Sequence, residues 1–369
     1  MSELASYSIQ AVFFALVAVV VVSRSKKTDL YQFALILFWL IGVIAIYIRY
    51  GDGQTLFYSN DQDFHLLVIN NLIPTYGINI GSIISQRYVV TLPVYFLSLL
   101  GFNAVLAFKF IQLLSMLFLY KHVKEFIRQK SRSIEVWHVA AIAGPLLFFF
   151  SLLALRDVVI AYFAVSFIFS LNSIQRNSSI FVVGLLRPHL AVALLFGVLI
   201  EKISRNSKVK FNVLSTAIKL FISYVFGSIS FQVGDYLTSN KNLSISTALF
   251  SAKQFSQIAL NFFGLQFLAL NGSENGVVAA STLTLLMARI VFVETYIVPV
   301  AFLVILFQPL GIYKKEFVQI ATALFFFYGL ILQNVVSTNS TRQNIPFISL
   351  MGVAAVVYLT ERRRLKYSL

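Results

Sequence analysis

Apolar stretches of membrane-spanning length recur along almost the whole chain, and short basic loops separate them. The mean hydropathy is +0.83, and charged residues make up only 12% of the sequence. A helix needs about 20 predominantly apolar residues to cross the hydrocarbon core of a bilayer. The sequence therefore predicts an all-α polytopic membrane protein, with one transmembrane domain over residues 1–369.

The distribution of basic residues indicates how the chain lies in the membrane. The net charge is +15, but Lys and Arg concentrate in short loops, as the positive-inside rule requires of cytoplasmic loops. We therefore discard nucleic-acid binding and expect the amino terminus outside and the carboxy terminus in the cytoplasm. The first apolar stretch, Ser8–Val22, is interpreted as a retained span, because no small-residue cleavage pattern follows it. The absence of cysteine excludes disulfides and thiolate metal sites.

This orientation predicts about nine transmembrane helices, a re-entrant helix pair, and two long external loops at residues 49–87 and 232–281. Leu92–Leu100 is interpreted as a broken or interfacial piece, because Pro93 and Gly101 interrupt the apolar stretch there. The predicted crossings are Ser8–Val22, Leu30–Ile48, Ala104–Tyr120, Val136–Leu153, Val158–Ile174, Phe211–Phe231, Thr282–Phe307, Phe317–Leu332 and Ile345–Leu359.

The stretch Ser179–Ile200 has basic residues at both ends, Arg176 before it and Lys202 after it. If both ends face the cytoplasm, the stretch forms two half-length helices that meet at Arg187-Pro188-His189. Broken backbone at membrane depth is tolerated only where it faces protein or a water-filled cavity. The tip of this pair is therefore a candidate site; the alternative is an ordinary span whose following loop breaks the charge rule.

Two acids, Asp61 and Asp63, lie one residue apart in the first external loop, in a chain with only 14 acidic residues. Carboxylates placed there could accept the proton of a sugar hydroxyl, or hold a divalent cation against a phosphate. Both are candidate catalytic residues, with Asp63 slightly favoured. No cluster of His and acidic residues has metal-ligand spacing, so we expect no other metal site.

A structural role for the same acids remains open. Ser59 with Gln62, or Asn60 with Asp63, has the spacing of a capping box, and acids favour the first turn of a helix. The two roles are compatible, because a capped helix is also a rigid support for a carboxylate. The apolar face of that helix would contain Phe64, Leu67, Val68 and Leu72.

The external side also carries basic residues that the charge rule does not explain, and most of them are arginine. Arginine binds phosphate through two parallel hydrogen bonds and stays charged when partly desolvated. Arg156 with Asp157, and Arg289 with Glu294, could instead simply neutralise one another. The candidate substrate-binding residues are Arg187, His189, Arg156, Arg289, Arg342, Arg87 and His65.

Several short motifs between about Tyr58 and Ile200 resemble known families. Asp61-Gln62-Asp63, followed by Gly77 and the segment Leu92–Asn103, resembles the front of the GT-C glycosyltransferases. Leu155-Arg156-Asp157 and Leu186-Arg187-Pro188-His189, each next to an apolar stretch, are similar to bacterial surface-polysaccharide membrane proteins, including Wzy-type O-antigen polymerases. The carboxy-terminal half adds no matching motif.

The resemblance implies a GT-C-like fold in a bacterial inner membrane. It implies transfer of sugar or oligosaccharide units from an undecaprenyl-(pyro)phosphate donor to a glycan acceptor on the outer face of that membrane. Asp61 or Asp63 would match the catalytic acid and Arg187 a residue near the lipid phosphate, whereas Wzy-type polymerases rely more on external arginines. The expected partners are the lipid-linked oligosaccharide, membrane lipids and other polysaccharide-assembly proteins. A transporter or flippase of lipid-linked sugars, or a non-catalytic assembly subunit, remains an alternative.

Overall fold

The computed structural model describes residues 3–24, 30–51, 57–58, 60–130, 144–170, 172–206, 213–239, 278–279, 294–307, 314–331 and 344–367. Within these ranges the protein is helical, apart from one antiparallel pair of two-residue strands, β1 (Phe57–Tyr58) and β2 (Val278–Ala279). The helices are α1 Glu3–Ser23, α2 Leu30–Tyr50, α3 Asn60–Leu67, α4 Ile73–Tyr76, α5 Tyr88–Leu99, α6 Ala104–Lys130, α7 Pro145–Ser151, α8 Asp157–Phe169, α9 Ser173–Leu186, α10 Pro188–Asn206, α11 Val213–Ser239, α12 Glu294–Leu306, α13 Lys314–Ile331 and α14 Ile345–Tyr367. A π-helix, Val68–Leu72, joins α3 to α4, and a 3₁₀ turn covers Ile80–Ser82.

Three of the described helices are long and apolar enough to cross a membrane: α1, α2 and α6. Each contains one of the predicted crossings, Ser8–Val22, Leu30–Ile48 and Ala104–Tyr120. The helical membrane class therefore agrees with the sequence, while the total of about nine crossings remains a prediction.

Two further predicted crossings correspond to shorter described helices. Helix α8 ends at Phe169, so its 13 residues extend only about 20 Å, less than the predicted span Val158–Ile174. The predicted span Val136–Leu153 is described only from residue 144 onward, where α7 begins. Most of the second external loop, 232–281, also lies outside the described residues.

The predicted break at Arg187-Pro188-His189 is present. Helix α9 ends at Leu186 and α10 begins at Pro188, with Arg187 in an extended conformation (φ −154°, ψ 81°). Proline disfavours the helical conformation of the residue before it, which explains the position of the break. A Cβ on Gly184 would lie 3.8 Å from the Cβ of Ala191, whereas seven residues of a straight helix extend about 10 Å. The chain therefore bends sharply at Arg187, and we call α9 and α10 together the helical hairpin.

Glycines allow α13 to pack very closely against α10 and α11. A Cβ on Gly197 would overlap the carbonyl oxygen of Gln319, and one on Gly329 would overlap the carbonyl oxygen of Tyr224. Small residues at such contacts let helix backbones approach each other, the usual solution where lipid supplies no hydrophobic driving force. This packing fixes the helical hairpin against α13.

Replacing Gly227 with alanine is expected to destabilise the protein by about 1–3 kcal/mol. The added Cβ would overlap the carbonyl oxygen of Phe326 and lie 3.0 Å from its carbonyl carbon, and backbone atoms cannot rotate away. Thermal unfolding of the detergent-solubilised protein measures the effect. The control is Gly184→Ala, whose new Cβ meets only the ordinary 3.8 Å contact with Ala191. Equal unfolding temperatures for the two variants would contradict the close packing of α11 on α13.

A helix begins at Asn60, as the capping interpretation predicted, and three of the four residues predicted for its apolar face pack together. Leu67 is 45% exposed, while His65 and Val68 are fully buried. Phe64 and Leu72 pack in the small apolar cluster around Val68, so the predicted face is correct except for Leu67, and His65 is a buried residue that it did not include. The capping contacts themselves involve side chains outside the described part of the structure.

Candidate functional site

The tip of the helical hairpin is bound to the start of α8 by two adjacent contacts. Arg187 donates a hydrogen bond from Nη2 to Oδ1 of Asp157 over 3.1 Å, and both side chains are buried. Arg156 donates from Nη1 to the carbonyl oxygen of Leu186 over 2.6 Å. Arg156 and Asp157 are consecutive, and they bind the consecutive residues Leu186 and Arg187. These contacts fix the position of both guanidinium groups.

Helix ends explain why these residue types occur here. The last carbonyls of a helix lack partners within the helix, and a cation near them interacts favourably with the helix dipole. Arg156 fills this role at the end of α9. Asp157 is in the first turn of α8, where a negative charge is favoured for the same reason. The sequence suggested that Arg156 and Asp157 neutralise one another, whereas the structure shows Asp157 paired with Arg187, 30 residues away.

Two polar side chains near this ion pair have buried atoms without a hydrogen-bond partner among the described residues. Gln112 accepts from the backbone N–H of Val158 through Oε1 (3.1 Å), which fixes the orientation of its amide and leaves Nε2 unpartnered. His189 has an unpartnered Nε2, and its ring lies 5.7 Å from the ring of Phe327. Buried polar atoms are normally hydrogen-bonded, so both atoms are candidates for contact with a ligand.

A second contact, between Arg87 and His65, lies at the end of the segment 49–87, which was predicted to be external. Nη1 of Arg87 is 3.0 Å from Nε2 of His65, and Nδ1 of His65 is 3.4 Å from the carbonyl oxygen of Ala154. Since arginine can only donate, the consistent assignment is a neutral His65 that accepts at Nε2 and donates weakly from Nδ1. The imidazole stacks on Phe108 at 4.8 Å, and the Arg87 guanidinium lies 4.8 Å from the centre of the Phe64 ring.

The backbone of Arg87 is in the left-handed helical region (φ 56°, ψ 42°), and no other described residue except glycine has a positive φ. Such a conformation costs about 1–3 kcal/mol and persists only where surrounding contacts hold it. Thr91 contributes by donating from Oγ1 to the carbonyl oxygens of Gln86 (3.0 Å) and Arg87 (3.2 Å). A strained arginine whose side chain is also fixed on both sides is typical of a functional position.

Ala154 lies between the Arg87–His65 contact and the contacts that Arg156 and Asp157 make with the hairpin tip. Its carbonyl oxygen meets His65, and Arg156 follows two residues later, a separation of at most about 7 Å along the chain. Five of the predicted substrate-binding residues therefore lie at or next to these two contacts, as one group of neighbouring residues. We call this group the Arg–His cluster; its members are Arg87, His65, Arg156, Arg187 and His189.

The remaining predicted site residues are not brought into this group. Asp63 is half-buried, and it precedes His65 by two positions, which places it about 200° around α3 from the buried histidine. The backbone of Asp61 is described, but its side chain is not. Arg289 and Arg342 lie outside the described residues. Glu294, whose predicted partner was Arg289, accepts a hydrogen bond at Oε2 from the backbone N–H of Leu146 (2.8 Å).

Lys109 is a buried charged residue that the sequence reasoning missed. It is 1% exposed in α6, and its Nζ lies 3.5 Å from the hydroxyl of Tyr7. The sequence did contain a signal for Lys109, because burying a charged lysine inside a predicted crossing costs free energy and the side chain should therefore face a partner. Gln112 was missed as well, because an uncharged residue in an apolar stretch gives little signal.

Within the described ranges, no group of three or more His, Cys, Asp or Glu residues could hold a metal ion. A divalent cation at Asp61 and Asp63 remains a prediction, because the side chain of Asp61 is not described.

No protein family, curated protein sequence or solved structure matches this chain in the comparisons made.

Proposed function

We propose that the protein is a membrane glycosyltransferase or repeat-unit polymerase of surface glycan assembly. It would transfer sugar or oligosaccharide units from an undecaprenyl-(pyro)phosphate donor to a glycan acceptor at the outer face of the bacterial inner membrane. The observation that supports this proposal is the Arg–His cluster, which combines three arginines with a broken helix hairpin in a strongly apolar chain. Asp61 and Asp63 are its proposed acids.

The charge of the cluster suits a pyrophosphate. Arg87, Arg156 and Arg187 carry three positive charges, and Asp157 carries one negative charge, so these four side chains together have two net positive charges. Guanidinium groups bind phosphate oxygens through paired hydrogen bonds, and the contacts of each arginine hold it in a defined orientation. Fixed donors of this kind stabilise the charge that develops on a leaving pyrophosphate.

The proposed reaction has one bond-forming and one bond-breaking event. A hydroxyl of the acceptor attacks the anomeric carbon of the donor sugar, through an oxocarbenium-like transition state. The bond from that carbon to the phosphate oxygen breaks, and its electron pair stays on the phosphate. Asp61 or Asp63 accepts the proton of the attacking hydroxyl. The arginines hold the pyrophosphate before and after the bond breaks.

Cells that lack this protein are expected to lose polymeric or fully extended surface glycan and to accumulate the undecaprenyl-linked precursor. Lipid-linked glycan profiles of the deletion strain measure both changes, and expression of the wild-type chain should reverse them. An unchanged profile in the deletion strain would contradict the proposed function.

A transporter or flippase of lipid-linked sugars is the second candidate, and the helical hairpin favours it, because broken helices at membrane depth recur in transporters. The two functions differ in whether new glycosidic bonds form. Purified protein in detergent, supplied with lipid-linked donor and acceptor, has no compartment to transport into. Formation of the larger glycan under these conditions would support the transferase, and its absence alongside transport in proteoliposomes would support the flippase.

A further inference from the structure

The segment between His65 and Arg87 contains no Asp, Glu, Lys or Arg. Several of its apolar side chains are nevertheless exposed in the described structure, and most of these lie in residues 76–84, which we call the loop tip. The exposed fractions are 77% for Tyr76, 50% for Ile78, 79% for Ile80 and 52% for Ile84. Exposed apolar residues of this size in an uncharged segment indicate a surface that is covered by something other than water.

The loop tip is an ordered structure with its own hydrogen bonds. Near its start, Gly77 has a positive φ of 71° and ends α4. Oδ1 of Asn79 accepts from the backbone N–H of Gly81 (2.9 Å), and the backbone N–H of Asn79 donates to the hydroxyl of Tyr88 (3.2 Å). Backbone bonds from Ser82 to Asn79 and from Gln86 to Ser82 continue the pattern. These bonds pair many of the backbone N–H groups of the tip, which lowers the cost of moving it out of water.

We propose that the loop tip inserts into the outer leaflet of the membrane. The tip leads directly into α5, whose exposed side chains Phe96 and Leu99 are also apolar, so its surface continues the lipid-facing surface of that helix. Tyr76 supplies an aromatic ring at the edge of the tip, a residue type enriched at membrane interfaces. A lipid surface accounts for the lack of charge over the whole segment, which a soluble partner would not require.

Insertion sets the depth of the neighbouring residues. Arg87 follows the tip directly, so it lies at the depth of the lipid headgroups, and its contact partner His65 lies with it. If the proposed function is right, this places the Arg–His cluster level with the phosphate of a lipid-linked donor. That consequence rests on the proposed function, whereas the insertion does not.

Fluorescence of a single labelled cysteine tests the insertion, because the chain has no native cysteine. Ile80→Cys, labelled with bimane, is reconstituted as the full chain in vesicles of phosphatidylethanolamine and phosphatidylglycerol, with or without brominated acyl chains. We expect blue-shifted emission and a loss of fluorescence in the brominated vesicles. The positive control is Leu16→Cys, which is 59% exposed in the middle of α1. The negative control is Glu3→Cys, which is exposed at the first turn of the same helix.

Loss of fluorescence at position 80 in the brominated vesicles that is clearly greater than that of Glu3→Cys supports the proposal. Red-shifted emission that aqueous iodide quenches would overturn it, because the tip would then lie in water. Blue-shifted emission without quenching by brominated lipid would also overturn it, because protein would then cover the tip. Ile84→Cys repeats the test if Ile80→Cys does not fold. No substrate is present, so the outcome is independent of whether the protein transfers sugars.

Discussion

Replacement of Arg187 with lysine is expected to lower glycan product about 100-fold, the usual loss when one fixed donor to a developing charge is removed. Lysine keeps the positive charge opposite Asp157 but replaces a planar fork with a point charge. Bidentate binding of a phosphate would then be lost, while the buried carboxylate would keep a cationic partner. Product is measured as the glycan ladder of cells that express only the variant, alongside the amount of protein in the membrane.

The choice of lysine rather than alanine is deliberate. Alanine at position 187 would leave Asp157 buried without its partner, and breaking a buried pair in this way costs about 3–5 kcal/mol. Loss of product could then reflect loss of fold. Arg49→Lys is the matched control, because Arg49 is an exposed arginine at the end of α2 on the same predicted side. Near-normal product from Arg187→Lys, with protein levels equal to the control, would remove Arg187 from the site.

The features of the fold that depend on local sequence could be predicted. The break at Arg187 follows from Pro188 and from the basic residues at both ends of the apolar stretch. The spans of α1, α2 and α6 follow from their length and hydropathy. In each case the cause lies within about 20 neighbouring residues, so the pattern is visible in the sequence alone.

The contacts that build the site could not be predicted in the same way. Asp157 is adjacent to Arg156 in sequence, and one of the two interpretations paired them, but Asp157 binds Arg187, which is 30 residues away between α9 and α10. The bond between His65 and the carbonyl oxygen of Ala154 spans 89 positions and involves a backbone atom, which carries no sequence signal. Hydropathy also placed Leu67 on the buried face of α3 and did not indicate His65, whereas Leu67 is 45% exposed and His65 is buried, stacked on Phe108.

The exposed loop tip shows a further limit of the sequence argument. Residues 49–87 were expected to form an external loop, because the basic loops before and after it were assigned to the cytoplasm. The acids lie at the start of that loop, and the described structure shows that its second half exposes Ile78, Ile80 and Ile84. A charge-based rule assigns a loop to one side of the membrane, but it does not say whether the loop lies in water or in the headgroup region.

Amide replacement of the two loop acids is expected to separate a catalytic role from a capping role. Base catalysis contributes about 10²–10⁴-fold to a rate, whereas loss of a helix cap costs only about 1 kcal/mol of stability. Asparagine cannot accept the proton, but it is itself a good cap. Asp→Asn at the true base should therefore abolish product at unchanged protein level, and under the capping interpretation both variants should work.

The helical geometry of α3 indicates which of the two acids lies on the same face as His65. Position 61 lies four residues before His65, and positions four apart share one face of a helix, whereas position 63 lies on another side. Although the sequence slightly favoured Asp63, we therefore expect Asp61→Asn to lose most product and Asp63→Asn to lose less. The glycan ladder of each variant, normalised to membrane protein, measures the difference. Near-wild-type product from both variants would rule out catalysis by either acid. The arginines of the Arg–His cluster would then provide the main catalytic contribution, as in a polymerase-type mechanism that stabilises the leaving pyrophosphate without a carboxylate base.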